Sequence, residues 1–179
     1  TIVQSYMQLI TLPLGGITDG VTNVELTAAF AAIANGGVYN EPVYYTKIVD
    51  HDGNVLLEKT PDSHRVIKET TAFLLTSAMQ DVVKEGTGRV ANFSGMSIAG
   101  KTGTTTSTRA SWFVGYTPYY TCAIWGGYDD NTELESTRFT RVLWRNVMSR
   151  IHAGLEDTGF SIPEGITQCS VCSVSGKLA

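Results

Sequence analysis

The residues of this chain best suited to chemistry are gathered in one run, Gly95-Met96-Ser97-Ile98-Ala99-Gly100-Lys101-Thr102-Gly103-Thr104-Thr105-Thr106. As a string, Gly95 to Thr102 satisfies G-x-x-x-x-G-K-[ST], the pattern of a loop that cradles phosphate in nucleotide hydrolases. Such a loop must follow a buried strand and open a helix whose amino end holds the anion. Neither condition is met: Val90 to Ser94 is not a strand run, the loop would carry apolar Met96, Ile98 and Ala99, and Gly103 followed by three threonines cannot open a stable helix. Read instead as a strand, Met96 to Thr106 alternates its side chains between two faces, so Thr102 and Thr104 point the same way. Gly103 between them lets a ligand backbone approach closely, and Lys101 supplies a positive field. Two hydroxyls and a cation along a sheet edge suit a small molecule with an extended backbone and a carboxylate. Each charge-assisted bond of that kind contributes roughly 1.5 to 3 kcal/mol. On the residues alone, a threonine-rich edge strand with one solvated lysine fits the same pattern.

Other candidates carry less. Cys169-Ser170-Val171-Cys172 has C-x-x-C spacing, but no helix follows to lower a thiol pKa, and a zinc site would need two further ligands at matching spacing. A surface disulfide or free thiols are the expectation. With Cys122 the count is three, which leaves one cysteine unpaired if two are bridged. His51 falls in a turn, His64 in a polar loop and His152 at a helix end, and all three are expected to face solvent. Trp112, Phe113, Trp125 and Trp144 lie at strand or helix spacing, which predicts core packing.

The elements that must position the threonines follow from local pattern. Gly15-Gly16 to Gly20 reads as a loop delivering Thr22-Asn23-Val24-Glu25, a capping box that starts a helix. The helix runs through Leu26, Ala29, Phe30 and Ile33 to a glycine stop at Asn35-Gly36-Gly37. It is apolar nearly all round, which predicts burial. Val43 to Asp50 and Val55 to Lys59, joined by His51-Asp52-Gly53-Asn54, read as a peripheral hairpin. Thr70 to Lys84 repeats Ala72, Leu75, Met79 and Val82-Val83 at helical spacing. Ser111 to Thr117 and Tyr120 to Tyr128 are strands whose connection is too short for a crossover, hence antiparallel neighbours. A third helix covers Thr137 to His152, with Phe139, Val142, Leu143, Val147 and Ile151 assigned to its buried face and Arg150 and His152 near its negative end. The order predicts an α+β fold, helices laid on an antiparallel sheet.

Composition bounds the rest. The chain has 179 residues, 42% apolar and 17% charged, with 13 Lys+Arg against 17 Asp+Glu for a net charge of −4. That suits one or at most two compact domains, long enough to build a core without disulfides or metal. The mild acidity and the absence of a basic run argue against nucleic acid or anionic lipid as the main partner. Apolar uncharged stretches such as Leu26 to Asn40 fall short of the roughly 20 residues of a membrane span. The first residue is Thr1, with no basic and then apolar leader, so the chain is read as an excised and soluble piece.

Lys101-Thr102-Gly103-Thr104 resembles the Lys-Thr-Gly motif of the penicillin-binding proteins and serine β-lactamases. The resemblance narrows with Gly86-Thr87-Gly88 before the motif, Trp112-Phe113-Val114-Gly115-Tyr116-Thr117-Pro118 after it, and Trp125-Gly126-Gly127-Tyr128-Asp129 beyond. Together with Thr22 to Gly37 and Cys172-Ser173-Val174-Ser175-Gly176-Lys177-Leu178, these segments look like the transpeptidase domain of class A, bifunctional penicillin-binding proteins, over nearly the whole chain. The resemblance implies acyl transfer on peptidoglycan, with no cofactor and no metal. A serine attacks a stem peptide ending in D-Ala-D-Ala, and β-lactams mimic that substrate. Carried onto this sequence, Lys101 orients and neutralises, Thr102, Gly103 and Thr104 bind substrate or β-lactam, and the backbone N–H of Thr104 is half of an oxyanion hole.

One departure is decisive for the expected activity. None of Lys47, Lys59, Lys68, Lys84, Lys101 and Lys177 has Ser three positions earlier, so there is no Ser-x-x-Lys, and no asparagine has Ser or Tyr two positions earlier. A smaller one is Ala110-Ser111 before Trp112, where the family often carries Asp. Residues 1–160 are therefore expected to be the later half of a transpeptidase domain, completed by an N-terminal half that brings the nucleophile. Residues 161–179 are expected to be a loosely attached tail. The parent is expected at the extracytoplasmic face of the bacterial membrane, and this chain alone is expected to be inactive. Competing readings are a non-catalytic β-lactam sensor, a D,D-carboxypeptidase or β-lactamase of the same fold, and a structural fragment.

Overall fold

The computed structural model describes residues 20–178. The loop expected from Gly15-Gly16 begins outside the described residues. The first helix, α1 (Asn23–Ala34), starts at the capping box: Thr22 Oγ1 accepts from the Glu25 amide at 3.2 Å, and Glu25 Oε2 accepts from the Thr22 amide at 2.8 Å. Both orphan donors are satisfied reciprocally. The helix stops where Gly37 takes φ +90°, a conformation only glycine adopts freely. A Cβ there would also lie 2.2 Å from the Ile67 carbonyl oxygen, so no other residue fits.

Two small antiparallel ribbons follow. β1 (Val38–Asn40) pairs with β4 (Ser63–Arg65), and β2 (Lys47–Val49) pairs with β3 (Val55–Glu58). The second is the expected hairpin, and its strands are exposed throughout. The β1–β4 pairing joins residues about 25 apart whose strand patterns are weak, so no local signal announces it. Helix α2 (Glu69–Lys84) buries Ala72, Thr76, Met79 and Val83, whereas Leu75 stays on the exposed side.

The main sheet is β5 (Ala99–Thr104), β6 (Ala110–Tyr116) and β7 (Thr121–Gly127), antiparallel in the order β5-β6-β7. Helix α3 (Arg138–Ile151) closes the fold. This is the α+β architecture expected, with helices against both faces of the sheet. Alternation along β6 explains how: Phe113 points to α3, meeting Trp144 edge-on with ring centroids 5.1 Å apart, and is buried with Trp144, Met148, Val83 and Ile98. Tyr116, of opposite parity, packs with Met79 and Ala99 against Phe30 and Ile33 of α1. Its phenol donates to Thr76 Oγ1 at 2.7 Å, because Thr76 spends its own proton on the Ala72 carbonyl. Burial pushes the Tyr116 pKa up to about 12, so it stays a neutral donor.

Three expectations are corrected. Helix α1 fully buries only Ala28 and Ala32, despite its apolar composition; it meets β6, β7, β1 and the following helix, but Phe30, Ile33 and Ala34 are only partly covered where they pack on the core. In α3 the buried row is Thr140, Trp144 and Met148; Phe139, Leu143, Val147 and Ile151 are exposed. The indole decides the choice. Trp144 contributes the largest apolar surface of the helix, and its N–H reaches the Cys122 carbonyl at 2.9 Å only when turned inward. His152 is buried, 5% exposed, rather than solvent-facing. Its Nδ1 donates to the Met148 carbonyl at 2.7 Å, its Nε2 lies 2.7 Å from Thr117 Oγ1, and Phe93, Tyr119 and Tyr120 surround the ring. His51 and His64 are exposed as expected, and of the four aromatics only Trp125, 46% exposed, departs clearly from core packing.

Candidate functional site

Within the run at 95–106 the strand is shorter than expected: Ala99–Thr104 is extended, whereas Met96 to Ile98 and Thr105 to Thr106 lie outside it. β5 pairs with β6 from Ala99↔Tyr116 to Thr104↔Ser111, and no helix opens at Lys101. The chain before it, Arg89–Ala91, is a single 3-10 turn rather than a strand. A phosphate loop therefore has neither of the elements it needs. Among the described residues β5 is an edge strand, as expected.

Strand geometry sorts the groups along that edge. The Thr105 amide donates to the Ala110 carbonyl at 3.1 Å, directed toward β6. Amides alternate sides along an antiparallel strand, so the amides of Thr104 and Thr102 point away from β6, to the free edge. The Thr102 carbonyl points there too, and the Lys101 ammonium folds over the edge to donate to it at 2.9 Å. A cation and an outward amide thus share one edge. The side chains of Thr102 and Thr104, being of equal parity, line one cavity of about 220 Å³. They stand opposite Phe113 and Ser111 in register, on the face of the sheet that carries α3. Lys101 does not line that cavity; its side chain starts from the other face.

Gly103 has a reason beyond ligand approach. A Cβ there would lie 3.1 Å from the Cβ of its cross-strand partner Trp112, tighter than ordinary contact. The glycine lets the Trp112 ring lie across the strand beside Trp125, with ring centroids 6.3 Å apart.

The cavity draws on residues outside the motif. Thr87, from the Gly86-Thr87-Gly88 turn after α2, places its Oγ1 2.9 Å from Thr102 Oγ1. Arg141 of α3 donates from Nη1 to the Thr87 carbonyl at 2.9 Å and from Nη2 to Thr137 Oγ1 at 3.3 Å. Behind them Ser111 and Thr140 share a hydroxyl contact of 3.1 Å and both reach the Thr137 carbonyl. Neither Thr87 nor Arg141 was singled out from sequence for this cavity. Thr87 enters only through the Gly86-Thr87-Gly88 segment that carries the resemblance, and Arg141 lies in a helix whose inward face is assigned to other residues. A wider cavity of about 370 Å³ opens at the other end of the sheet, near Pro118 and Thr76. Its single charged lining residue is Glu69, of the wrong sign for a carboxylate ligand.

The remaining candidates stay apart from the site. The three cysteines are free thiols; Cys169 and Cys172 are exposed. The Cys172 thiol is nonetheless pulled down to about 7, chiefly by hydrogen bonds from the Ser175 hydroxyl and amide and the Val174 amide. A turn does here what was expected only of a helix amino end. Among the described residues, no group of three or more His, Cys, Asp or Glu is placed to hold a metal ion, and no helix is long and apolar enough to cross a membrane.

Against known proteins, residues 6–133 match the family model described as the penicillin binding protein transpeptidase domain. The chain is 35% identical over 170 residues to penicillin-binding protein 1A of Clostridium botulinum, covering 93% of this chain and 21% of that protein. It is 32% identical over 174 residues to penicillin-binding protein 1A/1B of Bacillus subtilis, covering 87% of this chain and 19% of that one. The chain thus spans about a fifth of the length of these relatives. Among solved structures, penicillin-binding protein 1A of Haemophilus influenzae superposes with a TM-score of 0.77 at 23% identity, over 89% of this chain and 30% of that one. PonA1 of Mycobacterium tuberculosis gives a TM-score of 0.67 at 25% identity, over 83% and 45%.

Proposed function

Because this chain belongs to the transpeptidase family of class A penicillin-binding proteins and corresponds to the later part of that domain, we propose that the free edge of β5 is a substrate wall. Against it lies a peptidoglycan stem peptide ending in D-Ala-D-Ala during acyl-serine transfer. The observation that carries the reading is the gathering of four suitable groups on one short strand. Thr102 and Thr104 present hydroxyls to one cavity, while the Thr104 amide and the Lys101 ammonium occupy the adjoining edge.

Each group answers a need of the reaction. A substrate carboxylate accepts hydrogen bonds and is attracted by positive charge, which Thr102, Thr104 and Lys101 supply. When a serine oxygen adds to the peptide carbonyl, negative charge develops on the carbonyl oxygen, and the Thr104 amide is placed to donate to it. The tetrahedral species collapses by expelling D-Ala, whose nitrogen takes up a proton. The acyl group then passes from serine to an amine of a neighbouring peptide. A β-lactam presents a carboxylate and a strained amide in the same relation, so it would acylate the same serine and inhibit.

No Ser-x-x-Lys occurs in the 179 residues, so the nucleophile and its base belong to an N-terminal half of the same domain, and the chain alone is inactive. The substrate places the complete protein at the outer face of the bacterial membrane. The exposure of most residues from 161 to 178 supports reading that stretch as a loosely attached tail. The test is labelling with a fluorescent penicillin followed by a denaturing gel. The complete protein is expected to label and this chain alone to stay dark. Stoichiometric labelling of the isolated chain, or none of the complete protein, refutes the reading.

A further inference from the structure

We propose that Thr87 is a positioning residue for carboxylate recognition: its hydroxyl donates to Thr102 and so turns the Thr102 proton outward to the ligand, with Arg141 holding Thr87 in place. The inference rests on the reading of Thr102 as a carboxylate donor, and it follows from counting protons. Thr87 Oγ1 and Thr102 Oγ1 are 2.9 Å apart, and in the free protein either could donate. Each hydroxyl has one proton, and an ionised carboxylate has none. If Thr102 gave its proton to Thr87, it would turn a lone pair to the carboxylate and repel it. A bound carboxylate therefore selects one polarity, Thr87 to Thr102 to ligand. In that chain each bond polarises and strengthens the next.

The relay needs Thr87 to be held, because it lies outside the sheet on an exposed turn. Three contacts hold it. The Gly86 amide donates to the Asp81 carbonyl at 3.1 Å and the Gly88 amide to the Val82 carbonyl at 2.9 Å, which tie the turn to the end of α2. Arg141 Nη1 ties the Thr87 carbonyl to α3 at 2.9 Å, and its guanidinium is itself braced on Thr137 at 3.3 Å. Arg141 also lines the cavity, so the same side chain that fixes the relay adds positive charge behind it.

The experiment measures second-order acylation of the complete protein by two probes, a penicillin with its free carboxylate and the methyl ester of the same compound. Thr87→Val keeps the shape and removes the donor. It is expected to slow acylation by the free acid about three- to tenfold and to leave the ester within twofold. Thr87→Ser restores the donor and is expected to restore the rate, and Arg141→Gln is expected to move the acid in the same direction as Thr87→Val. Equal loss on acid and ester, failure of serine to rescue, or no loss on the acid overturns the relay. The Thr102→Val/Thr104→Val variant separates the two levels of argument. If it fails to discriminate acid from ester, the carboxylate wall itself is wrong, whereas discrimination there without any effect at Thr87 removes only the relay.

Discussion

Removing both hydroxyls from the proposed wall is the perturbation whose size the structure defines best. Thr102→Val with Thr104→Val replaces each hydroxyl by a methyl group on a β-branched frame, so strand propensity and side-chain volume are retained. The backbone pairing with β6, Thr102↔Phe113 and Thr104↔Ser111, does not involve the hydroxyls. The cost to folding is limited to the Thr87 contact, at an exposed site where water can replace it. The cost to recognition is larger. Two bonds to a charged acceptor are lost, each contributing at least about 1.5 kcal/mol, so the barrier to acylation rises by about 3 kcal/mol and the rate falls by at least about a hundredfold. The Thr104 amide and Lys101 are untouched, so activity should be reduced rather than abolished. The assay is stopped-flow or gel-quantified acylation of the complete protein by a fluorescent penicillin, wild type against the double variant, with circular dichroism as the folding control. A folded variant that acylates at the wild-type rate would mean that Thr102 and Thr104 are only edge-strand surface, and the assignment of the wall would fall.

Two further outcomes test the packing and the electrostatics. Trp144→Ala removes a fully buried ring, its edge contact with Phe113 and the bond to the Cys122 carbonyl; it should cost about 3 to 5 kcal/mol and lower the calorimetric midpoint of the domain by several degrees, and an unchanged midpoint refutes the assigned inward face of α3. Iodoacetamide at neutral pH, followed by peptide mass spectrometry, should modify Cys172 well before Cys122, whose thiol burial pushes up; the Cys172 rate should rise as pH passes about 7, where its thiolate fraction grows, and preferential labelling of Cys122 would contradict the turn geometry.

Much of the fold was legible because its signals are local. The Thr22 and Glu25 pair starts α1 by chemistry confined to four residues, and the short Thr117-Pro118-Tyr119 link leaves β6 and β7 no choice but antiparallel pairing. What escaped depends on partners far along the chain. The periodicity of α3 offers two rows that both look apolar, and counting residues favours Phe139, Leu143, Val147 and Ile151. The structure buries Thr140, Trp144 and Met148 instead, because Thr140 meets Ser111 and the Trp144 indole meets Cys122. Neither partner is visible from helical spacing. His152 escapes for the same reason, since the hydroxyl that satisfies its Nε2 belongs to Thr117, in the connection between β6 and β7 and 35 residues earlier in the chain.

The candidate site divides along the same line. The alternation that aligns Thr102 with Thr104 is a property of one strand and could be read directly, as could the helix-breaking Gly103 that excludes a phosphate loop. The cavity they line is a property of four segments, β5, β6, the turn after α2 and α3 with the Thr137 that precedes it. Its Thr87 side comes from the turn after α2, its Arg141 side from α3, and their meeting depends on which row of α3 faces inward. Arg141 lies three residues before Trp144, on the neighbouring flank of the helix. Turning Trp144 toward Phe113 therefore swings Arg141 toward the end of β5, within reach of the Thr87 carbonyl. The packing choice that stabilises the core is thus the one that delivers a cation to the wall, and rotating α3 onto its other apolar row would withdraw that cation from the site.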